Sequence, residues 1–289
     1  MLNAVSPLDG RYANKTKELQ EYFSEHALIK YRVKVEVEYF IALYKANLPQ
    51  LTDLKSSEVQ QMRQLYLDFS DADATQVKEI ESVTNHDVKA VEYFIKDKLS
   101  GGPIEPLLEF IHFGLTSQDI NNTSFPMMIM DSLKNVMLPE LTKLISSLND
   151  KVEKYEGIPM LARTHGQPAS PTTLGKEMGV FVERLNYQFK ILSNFNLHGK
   201  FGGATGNFNA HKVTYPAIDW IQFGNDFLEQ QLGLNRHQLT TQIAHYDDLA
   251  QLFDTMRRTN VILLDLCKDM WTYISMEYFG QKVIAGEVG

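Results

Sequence analysis

The chain has 289 residues, enough for one large domain or two of ordinary size around a substantial core. Hydrophobic residues at 44% and charged residues at 22% are typical of a soluble globular protein. The net charge of -8 argues against a nucleic-acid-binding surface spread over the whole chain, although it leaves a local anion site open. The single cysteine, Cys267, and the lack of an apolar stretch of signal-peptide or membrane-spanning length predict a cytoplasmic protein without membrane contact.

The first recognisable segment, residues 6–12, is predicted to form a turn that leads into a helix. Arg11 and Tyr12 are neighbours in this turn, and a guanidinium beside a phenol suits the binding of a phosphate. A solvated surface turn is the alternative interpretation. The pattern beyond it predicts a helix over residues 15–47 and, after a connector, a second helix to about residue 68.

A polar stretch from Thr84 to Asp87 separates two further predicted helices. Asn85 or Thr84 could cap the second of these helices. His86 and Asp87 would then lie in its first turn, where backbone N–H groups point outward and favour anions. The alternative is that these residues form only a cap and a solvated charge cluster.

A break rich in glycine and proline at residues 101–106 marks the predicted domain boundary. We expect an N-terminal helical domain over residues 1–111 and a long-helix bundle domain over residues 112–289. Leu174 and Leu249 each begin a segment whose apolar residues recur at spacings of three and four, the pattern of a helical bundle. Strand signals are scarce, so the predicted fold class is all-α.

The second predicted domain contains a helix start and a glycine-rich loop. Thr116 followed three residues later by Asp119 resembles a capping box, with Asp in place of the usual Glu. Pro126 and Pro139 should kink or interrupt the long helix that follows. Residues 199–211 lack the preceding strand and the glycine spacing of a nucleotide-binding motif, so they are predicted to be a close-packed loop beside a site.

The most informative stretch for chemistry is residues 162–171, Ala-Arg-Thr-His-Gly-Gln-Pro-Ala-Ser-Pro. Its glycine and first proline break regular structure, so His165 is expected on a shaped loop between two long helices. Ser170 and Pro171 together give a helix-start signal, with Ser170 as the cap. A loop histidine with polar neighbours suits proton transfer near neutral pH, and a hydrogen-bonded histidine at a helix junction is the alternative.

Three stretches carry a resemblance to a known family: HFGLTSQDINN at residues 112–122, ARTHGQPASPTT at 162–173 and TNHDVKAVEYF at 84–94. The first two resemble two signature regions of the fumarase/aspartase lyase superfamily. The third, together with SPLDGRY at residues 6–12, resembles the adenylosuccinate lyase branch. Fumarases, aspartases and argininosuccinate lyases carry other residues at the NHDVKAVEYF position. The resemblance covers the whole chain and implies a long-helix bundle of the fumarase/aspartase type, incomplete at its C-terminus.

The third signature of this superfamily is a flexible serine-rich loop that follows a Gly-Glu-(Ile/Val)-Gly run. In this chain that run is residues 286–289, the last four. The resemblance assigns the general base to a serine of the loop. We therefore expect that the natural polypeptide continues past residue 289, or that this chain alone is inactive.

The resemblance implies a β-elimination that releases fumarate from adenylosuccinate, giving AMP, and from succinylaminoimidazole carboxamide ribotide in purine biosynthesis. The proton on the succinyl carbon is weakly acidic, so fixed hydrogen-bond donors must stabilise the charge that develops on the neighbouring carboxylate. An imidazolium can protonate the leaving nitrogen, and the resemblance gives this general-acid role to His165. It implies no metal or organic cofactor, and a homotetramer with sites shared between subunits.

The resemblance also assigns roles to other residues. Thr116 and Ser117 are placed at the developing oxyanion, with Ser117 the better candidate because Thr116 can also cap its helix. Gln242 is placed near the reacting end of the substrate, and His112 is a site histidine without a defined role. His86 is assigned to catalysis and to binding. The residues assigned to the nucleotide portion are Arg11, Tyr12, Asn85, His86 and Asp87.

Two other functions stay open at the level of the sequence. A related lyase could act on a different succinyl or fumarate-forming substrate, although residues 84–94 argue against it. A non-catalytic helical fragment or assembly module of the same superfamily is the other possibility, because the chain does not contain the loop with the base serine.

Overall fold

The computed structural model of the chain describes residues 3–46, 48–51 and 54–287. Helices dominate these residues, and the few strands are short. The helical fold class that the sequence predicts is therefore confirmed. Among the described helices, none combines the length and the apolar character that crossing a bilayer requires.

The described residues form two compact units. The first consists of Met1–Val136 and Asn196–Tyr246, and the second of Met137–Phe195 and Asp247–Gly289. The boundary predicted between residues 111 and 112 falls inside the first unit, because the chain leaves this unit only after Val136 and later returns to it. Compactness alone does not test which segments fold independently, so the division into domains at that position stays a prediction.

The secondary structure elements are numbered along the chain. In order they are α1 (Gln20–Phe23), α2 (Glu25–Lys45), α3 (Ser56–Leu67), α4 (Asp71–Thr84), α5 (Asp87–Leu99), α6 (Ser117–Ser132), α7 (Leu138–Lys154), β1 (Pro159–Thr164), β2 (Gln167–Thr173), α8 (Leu174–Ser193), β3 (His198–Gly199), α9 (Asn209–Thr214), α10 (Trp220–Asp226), β4 (Asn235–Arg236) and α11 (Asp247–Ser275). Strands β1 and β2 pair antiparallel, and β3 and β4 pair parallel.

Helix α2 is the centre of the first unit. Most of its 21 residues are buried, and it packs against α3, α5 and α6. Tyr39, Phe40 and Leu43 join a core that also contains Phe94 of α5. Ser24 starts this helix with an extended backbone, and its side chain accepts a hydrogen bond from the third helical N–H. The helix predicted over residues 15–47 is therefore interrupted, because Ser24 acts as a cap.

Helix α6 continues through Pro126, and the irregularity in the helical path comes only before Pro139. Pro126 lies inside α6, and Pro139 lies in the first turn of α7, after a π-helical segment at Leu133–Met137. Since Pro126 has no N–H, the carbonyl of Asn122 lacks its usual helical donor. The backbone N–H of Lys200, next to β3, donates to that carbonyl instead, at 3.1 Å. This hydrogen bond attaches the segment next to β3 to α6, at the carbonyl that Pro126 leaves without a helical donor.

The second unit is built around α7, α8 and α11. Helix α8 packs against both of the others. Leu174 and Met178 of α8 share a buried cluster with Tyr273 of α11, which confirms the predicted apolar seam. Gly175 is required in this seam, because a Cβ there would lie 2.6 Å from the carbonyl oxygen of Val152 on α7.

Strands β1 and β2 form a β-hairpin that the sequence prediction missed. Thr164 pairs with Gln167, so His165 and Gly166 are the two residues of the turn. Their φ angles of 53° and 78° are both positive, as a type I′ turn requires. His165 is therefore held on a shaped turn as expected, although strands and not helices flank it.

The start predicted for the next helix is wrong. Ser170 and Pro171 lie in β2, and α8 begins only at Leu174. Thr173 caps it, because its hydroxyl accepts the N–H of Lys176 at 3.2 Å. Proline is tolerated in β2 because a two-stranded sheet consists only of edge strands.

Candidate active site

The N-terminus of α6 is fixed by the capping box that the sequence predicts. Thr116 has an extended backbone, with φ −118° and ψ 160°, and its N–H donates to Oδ2 of Asp119 at 2.8 Å. Ser117 is the first residue of the helix, so its backbone N–H has no partner within the helix. This end of the helix carries partial positive charge and suits an anionic group.

Asp119 joins this helix start to the glycine-rich segment. Its Oδ1 accepts a hydrogen bond from Nζ of Lys200 at 2.7 Å, and both side chains are completely buried. The N–H of Gly202 donates to the same oxygen at 2.9 Å. Gly206 has φ +80°, and a Cβ there would lie 2.4 Å from the carbonyl oxygen of Thr240. The predicted close packing of this loop is confirmed. No sequence pattern singles out Lys200.

His86 caps helix α5, so the predicted cap at Asn85 or Thr84 is wrong. His86 has an extended backbone, with φ −147° and ψ 110°, and its Nδ1 accepts the N–H of Lys89 at 3.1 Å. Asn85 instead follows α4 with φ 51°, a left-handed conformation that asparagine tolerates. Thr84 is the last residue of α4. Of His86 and Asp87, which are both predicted in the first turn of α5, only Asp87 lies there.

The cap also sets the tautomer of His86. Since Nδ1 accepts a hydrogen bond, the proton of the neutral ring lies on Nε2. Nε2 is 3.4 Å from Oγ of Ser117, to which it can donate. The side chain of His86 is half exposed. The structure thus brings two predicted site residues together where the N-termini of α5 and α6 meet.

Asp87 is held by an arginine that the sequence did not single out. Nη2 of Arg32 lies 2.6 Å from Oδ2 of Asp87, and Nε of Arg32 donates to Oδ1 of Asn121 at 2.9 Å. Burial raises the pKa of Asp87, but the charge of Arg32 and the hydrogen bonds to the carboxylate outweigh it and hold the pKa below its ordinary value. Asp87 is therefore an ionised carboxylate at neutral pH.

His112 is paired with a second residue of α2 that the sequence did not single out. Its Nδ1 lies 2.5 Å from Oε1 of Glu36, whose side chain is completely buried. Burial of the ring lowers the pKa of His112, but Glu36 more than offsets this, and the net effect is a raised pKa. His112 has φ 63°, so its backbone is in the left-handed region.

The loop before α11 brings Gln242 to the start of α6. Nε2 of Gln242 donates to the hydroxyl oxygen of Thr116 at 3.2 Å. In the same loop the hydroxyl of Tyr246 donates to Oδ1 of Asn122 at 2.6 Å. The hydroxyl of Thr116 therefore already has a partner, and Ser117 is better placed to meet a ligand.

Arg11 and Tyr12 lie together on the surface of the first unit. The guanidinium of Arg11 is 5.6 Å from the ring centroid of Tyr12, a cation–π contact, and both residues are exposed. Within the described parts of the chain, no hydrogen bond or ion pair joins this pair to His86 or Ser117.

His165 belongs to the second unit, at the tip of the β-hairpin. It is exposed, like the other residues of the turn. Nη1 of Arg163 donates to the carbonyl oxygen of Gly166 at 2.9 Å, and this hydrogen bond stabilises the turn. The imidazole therefore has a defined backbone position and an open environment.

Three other histidines form a ring cluster in the first unit. The rings of His198 and His237 are stacked, with centroids 4.8 Å apart and planes within 18°, and the ring of His245 is 4.0 Å from that of His237. One ring nitrogen each of His198 and His237 and a carboxylate oxygen of Asp248 lie within 4.8 Å of one another, a group that could hold a metal ion.

The family model described as lyase matches residues 10–289. The chain belongs to this lyase family. Relatives named adenylosuccinate lyase match it over its whole length: the one from Dictyostelium discoideum is 54% identical over 295 residues, and the one from Vibrio cholerae is 44% identical over 290 residues. The chain spans 63% and 64% of the length of these two relatives.

Solved structures show the same fold for this family member. A fumarate lyase from Mesorhizobium sp. BNC1 matches with a TM-score of 0.72 at 19% identity, over 90% of this chain and 58% of that one. A 3-carboxy-cis,cis-muconate lactonizing enzyme from Pseudomonas putida matches with a TM-score of 0.71 at 20% identity, over 89% and 56%. At these identities the likeness establishes the fold alone.

Proposed function

We propose that the complete gene product is an adenylosuccinate lyase that releases fumarate from adenylosuccinate, giving AMP, and from succinylaminoimidazole carboxamide ribotide. The relatives that match the whole chain, at up to 54% identity, carry that name. The observation that carries the proposal within the structure is the meeting of two helix N-termini at His86 and Ser117. Although the chain is acidic overall, this arrangement suits a substrate with a phosphate and two carboxylates.

Ser117 and Thr116 would stabilise the charge that develops on the substrate carboxylate when the succinyl carbon loses its proton. The hydroxyl oxygen of Ser117 can accept from Nε2–H of His86, which leaves its own proton to donate. The hydroxyl oxygen of Thr116 accepts from Gln242, which would place that amide at the reacting end. Hydrogen-bond donors held in fixed positions in this way stabilise an oxyanion.

His165 would act as the general acid that protonates the leaving nitrogen. Its place at the tip of a hairpin makes the imidazole accessible to a substrate. The resemblance assigns the base that removes the carbon proton to the serine loop of the longer relatives.

The nucleotide portion would be bound by Arg11, Tyr12, Asn85, His86 and Asp87. The guanidinium of Arg11 is exposed, and arginine is the residue type best suited to bind a phosphate. Asp87 stays ionised beside Arg32 and can accept hydrogen bonds from ribose hydroxyls. His112 would meet another anionic group of the substrate. We propose no metal or organic cofactor for this reaction.

We further propose a cytoplasmic homotetramer in which each site takes residues from several subunits. The second unit has large apolar side chains that are exposed in the single chain, among them Tyr187 of α8 and Leu264 and Trp271 of α11, at 67%, 60% and 73%. A cavity of about 1010 Å³ lies between α8 and α11, lined in part by Val180 and Ile262. Such a face would be covered if bundles of several copies packed together.

The experiment that tests the activity measures fumarate release from a panel of substrates. The complete gene product should release fumarate from adenylosuccinate and from the carboxamide ribotide, and not from aspartate, malate or argininosuccinate. Release from one of these three substrates alone would instead place the protein in another branch of the superfamily. If the folded protein releases fumarate from none of the substrates, a non-catalytic module would be favoured.

A further inference from the structure

The pair formed by Glu36 and His112 contains a buried charge that the mechanism above does not use. The side chain of Glu36 is 0% exposed, and its Oε1 lies 2.5 Å from Nδ1 of His112. Its other oxygen, Oε2, has no hydrogen-bond partner among the described residues. A buried carboxylate with an unpartnered oxygen is costly unless a cation neutralises it.

Two other carboxylates act on His112, and each already has a cation of its own. Glu92 on α5 is bridged by two lysines of the same helix, at 2.7 and 3.1 Å. Asp119 on α6 is paired with Lys200 at 2.7 Å. In the part of the chain that the structure describes, Glu36 has no lysine or arginine partner, so the imidazolium of His112 is its counter-ion.

The geometry also fixes which ring nitrogen is left for a ligand. Nδ1–H of His112 donates to Glu36, so Nε2 is the nitrogen available for a further hydrogen bond. The side chain of His112 is 18% exposed, enough for one edge of the ring to reach solvent or substrate. Because the opposing carboxylate is buried, water screens this pair little.

We propose that Glu36 is a positioning residue that holds His112 in one orientation and in its cationic form, so that Nε2–H is offered to an anionic group of the substrate. This inference rests on the proposed function only for the identity of that anion. Glu36 touches no reacting atom in this scheme and acts through His112 alone.

The first experiment needs no variant and no substrate. The complete gene product, labelled with ¹⁵N in its histidines, is observed by NMR near pH 7, where the chemical shifts of Nδ1 and Nε2 distinguish an imidazolium from either neutral tautomer. We expect His112 to be an imidazolium at this pH. A neutral ring would contradict the proposal.

The second experiment compares Glu36→Gln with the matched control Glu38→Gln. Glu38 is also a buried carboxylate of α2, but it pairs with Arg63 and Tyr66, away from His112. The amide of Glu36→Gln keeps a hydrogen-bond acceptor for Nδ1–H and removes the charge. The substrate KM should rise roughly ten- to a hundredfold at neutral pH, the loss expected for one charge-assisted hydrogen bond, with a smaller change in kcat.

The pH profile separates this role from a structural one. Without the carboxylate, His112 should still become protonated at lower pH. The increase in KM caused by Glu36→Gln should therefore become smaller as the pH falls toward 5.5, roughly one unit below the ordinary pKa of histidine. The Glu38→Gln variant should show no such recovery. An equal KM defect at every pH, or an unchanged KM, would contradict the proposal.

Failure of the proposed function would have a different signature. If adenylosuccinate is not a substrate, the activity measurements give nothing at any pH, but the NMR measurement on the ligand-free protein still reports the charge of His112. A neutral His112 in an active adenylosuccinate lyase would overturn the role of Glu36 and leave the proposed function standing.

Discussion

Lys200 and Asp119 form a completely buried ion pair, with Nζ 2.7 Å from Oδ1, between two residues that lie 81 positions apart. The pair fixes the glycine-rich loop against the start of α6, where Ser117 lies. The pKa of Lys200 is lowered by burial, although the charge of Asp119 opposes this. Breaking such a pair leaves an uncompensated charge inside the protein.

We predict that Lys200→Met lowers the free energy of unfolding by about 3–5 kcal/mol, the usual cost of removing one partner of a buried pair. Urea unfolding measures the effect. The matched control is Lys143→Met, which removes a lysine paired with Glu140 on the exposed face of α7 and should cost less than about 1 kcal/mol. Equal losses in the two variants would show that the buried pair has no special role.

His211 packs next to the loop that contains His112, and its imidazole is neutral. The hydroxyl of Tyr39 donates to the carbonyl of Phe113 at 2.6 Å, so it accepts from Nε2–H of His211 at 2.9 Å. Nδ1 of His211 is buried without a partner among the described residues. A proton on Nδ1 would have no acceptor, and burial lowers the pKa of His211 to about 4, despite the opposing effects of Asp119 and of a backbone hydrogen bond.

We predict that His211 makes the protein sensitive to acid. Its pKa is lower in the folded chain than the ordinary 6.5, so its stabilising effect is present above pH 6.5 and is lost as the pH falls to about 4, with a total of about 3 kcal/mol. In His211→Gln, which can still donate to Tyr39, the loss of unfolding free energy over this range should be smaller than in wild type. Parallel curves of unfolding free energy against pH would contradict this prediction.

Much of the fold follows from local sequence signals. The capping box at Thr116 and Asp119 and the apolar seam from Leu174 are correctly predicted, because each depends on residues three or four positions apart. The β-hairpin at His165 was missed, because its strands are exposed and lack the alternating apolar pattern that identifies a strand.

The candidate site is less accessible to sequence reasoning, because its supporting contacts are distant along the chain. Arg32 meets Asp87 across 55 positions, and Glu36 meets His112 across 76. Within α2 these two side chains are indistinguishable from ordinary charged residues of a surface helix. Their burial, which makes them informative, is a property of the folded chain.

His165 is predicted to supply the proton for the leaving nitrogen. In the complete gene product, His165→Ala should lower turnover by roughly two to four orders of magnitude, with a much smaller effect on substrate binding. His165→Asn should behave alike, because asparagine tolerates the positive φ of this turn and so keeps the hairpin intact. Near-wild-type turnover in both variants would remove His165 from the acid role.

Arg11 is predicted to bind a phosphate far from the bond that breaks. Arg11→Ala should raise the KM far more than it lowers kcat, because such a contact stabilises the ground state and the transition state alike. Lys17→Ala, which removes another cation of the same N-terminal region, is the control and should leave both constants unchanged. Equal losses in kcat and kcat/KM in Arg11→Ala would instead place Arg11 at the chemistry.

In the shared site that we propose, His165 and Ser117 would come from different copies of the chain, and subunit mixing tests this most directly. Complete gene products with His165→Asn and with Ser117→Ala are each assayed alone, then dissociated, mixed and allowed to reassociate. Mixed oligomers would contain some sites with both residues intact, so adenylosuccinate cleavage should rise well above that of either parent, to a statistical fraction of wild type. No recovery in verified mixed oligomers would show that both residues come from the same subunit, which contradicts the shared site.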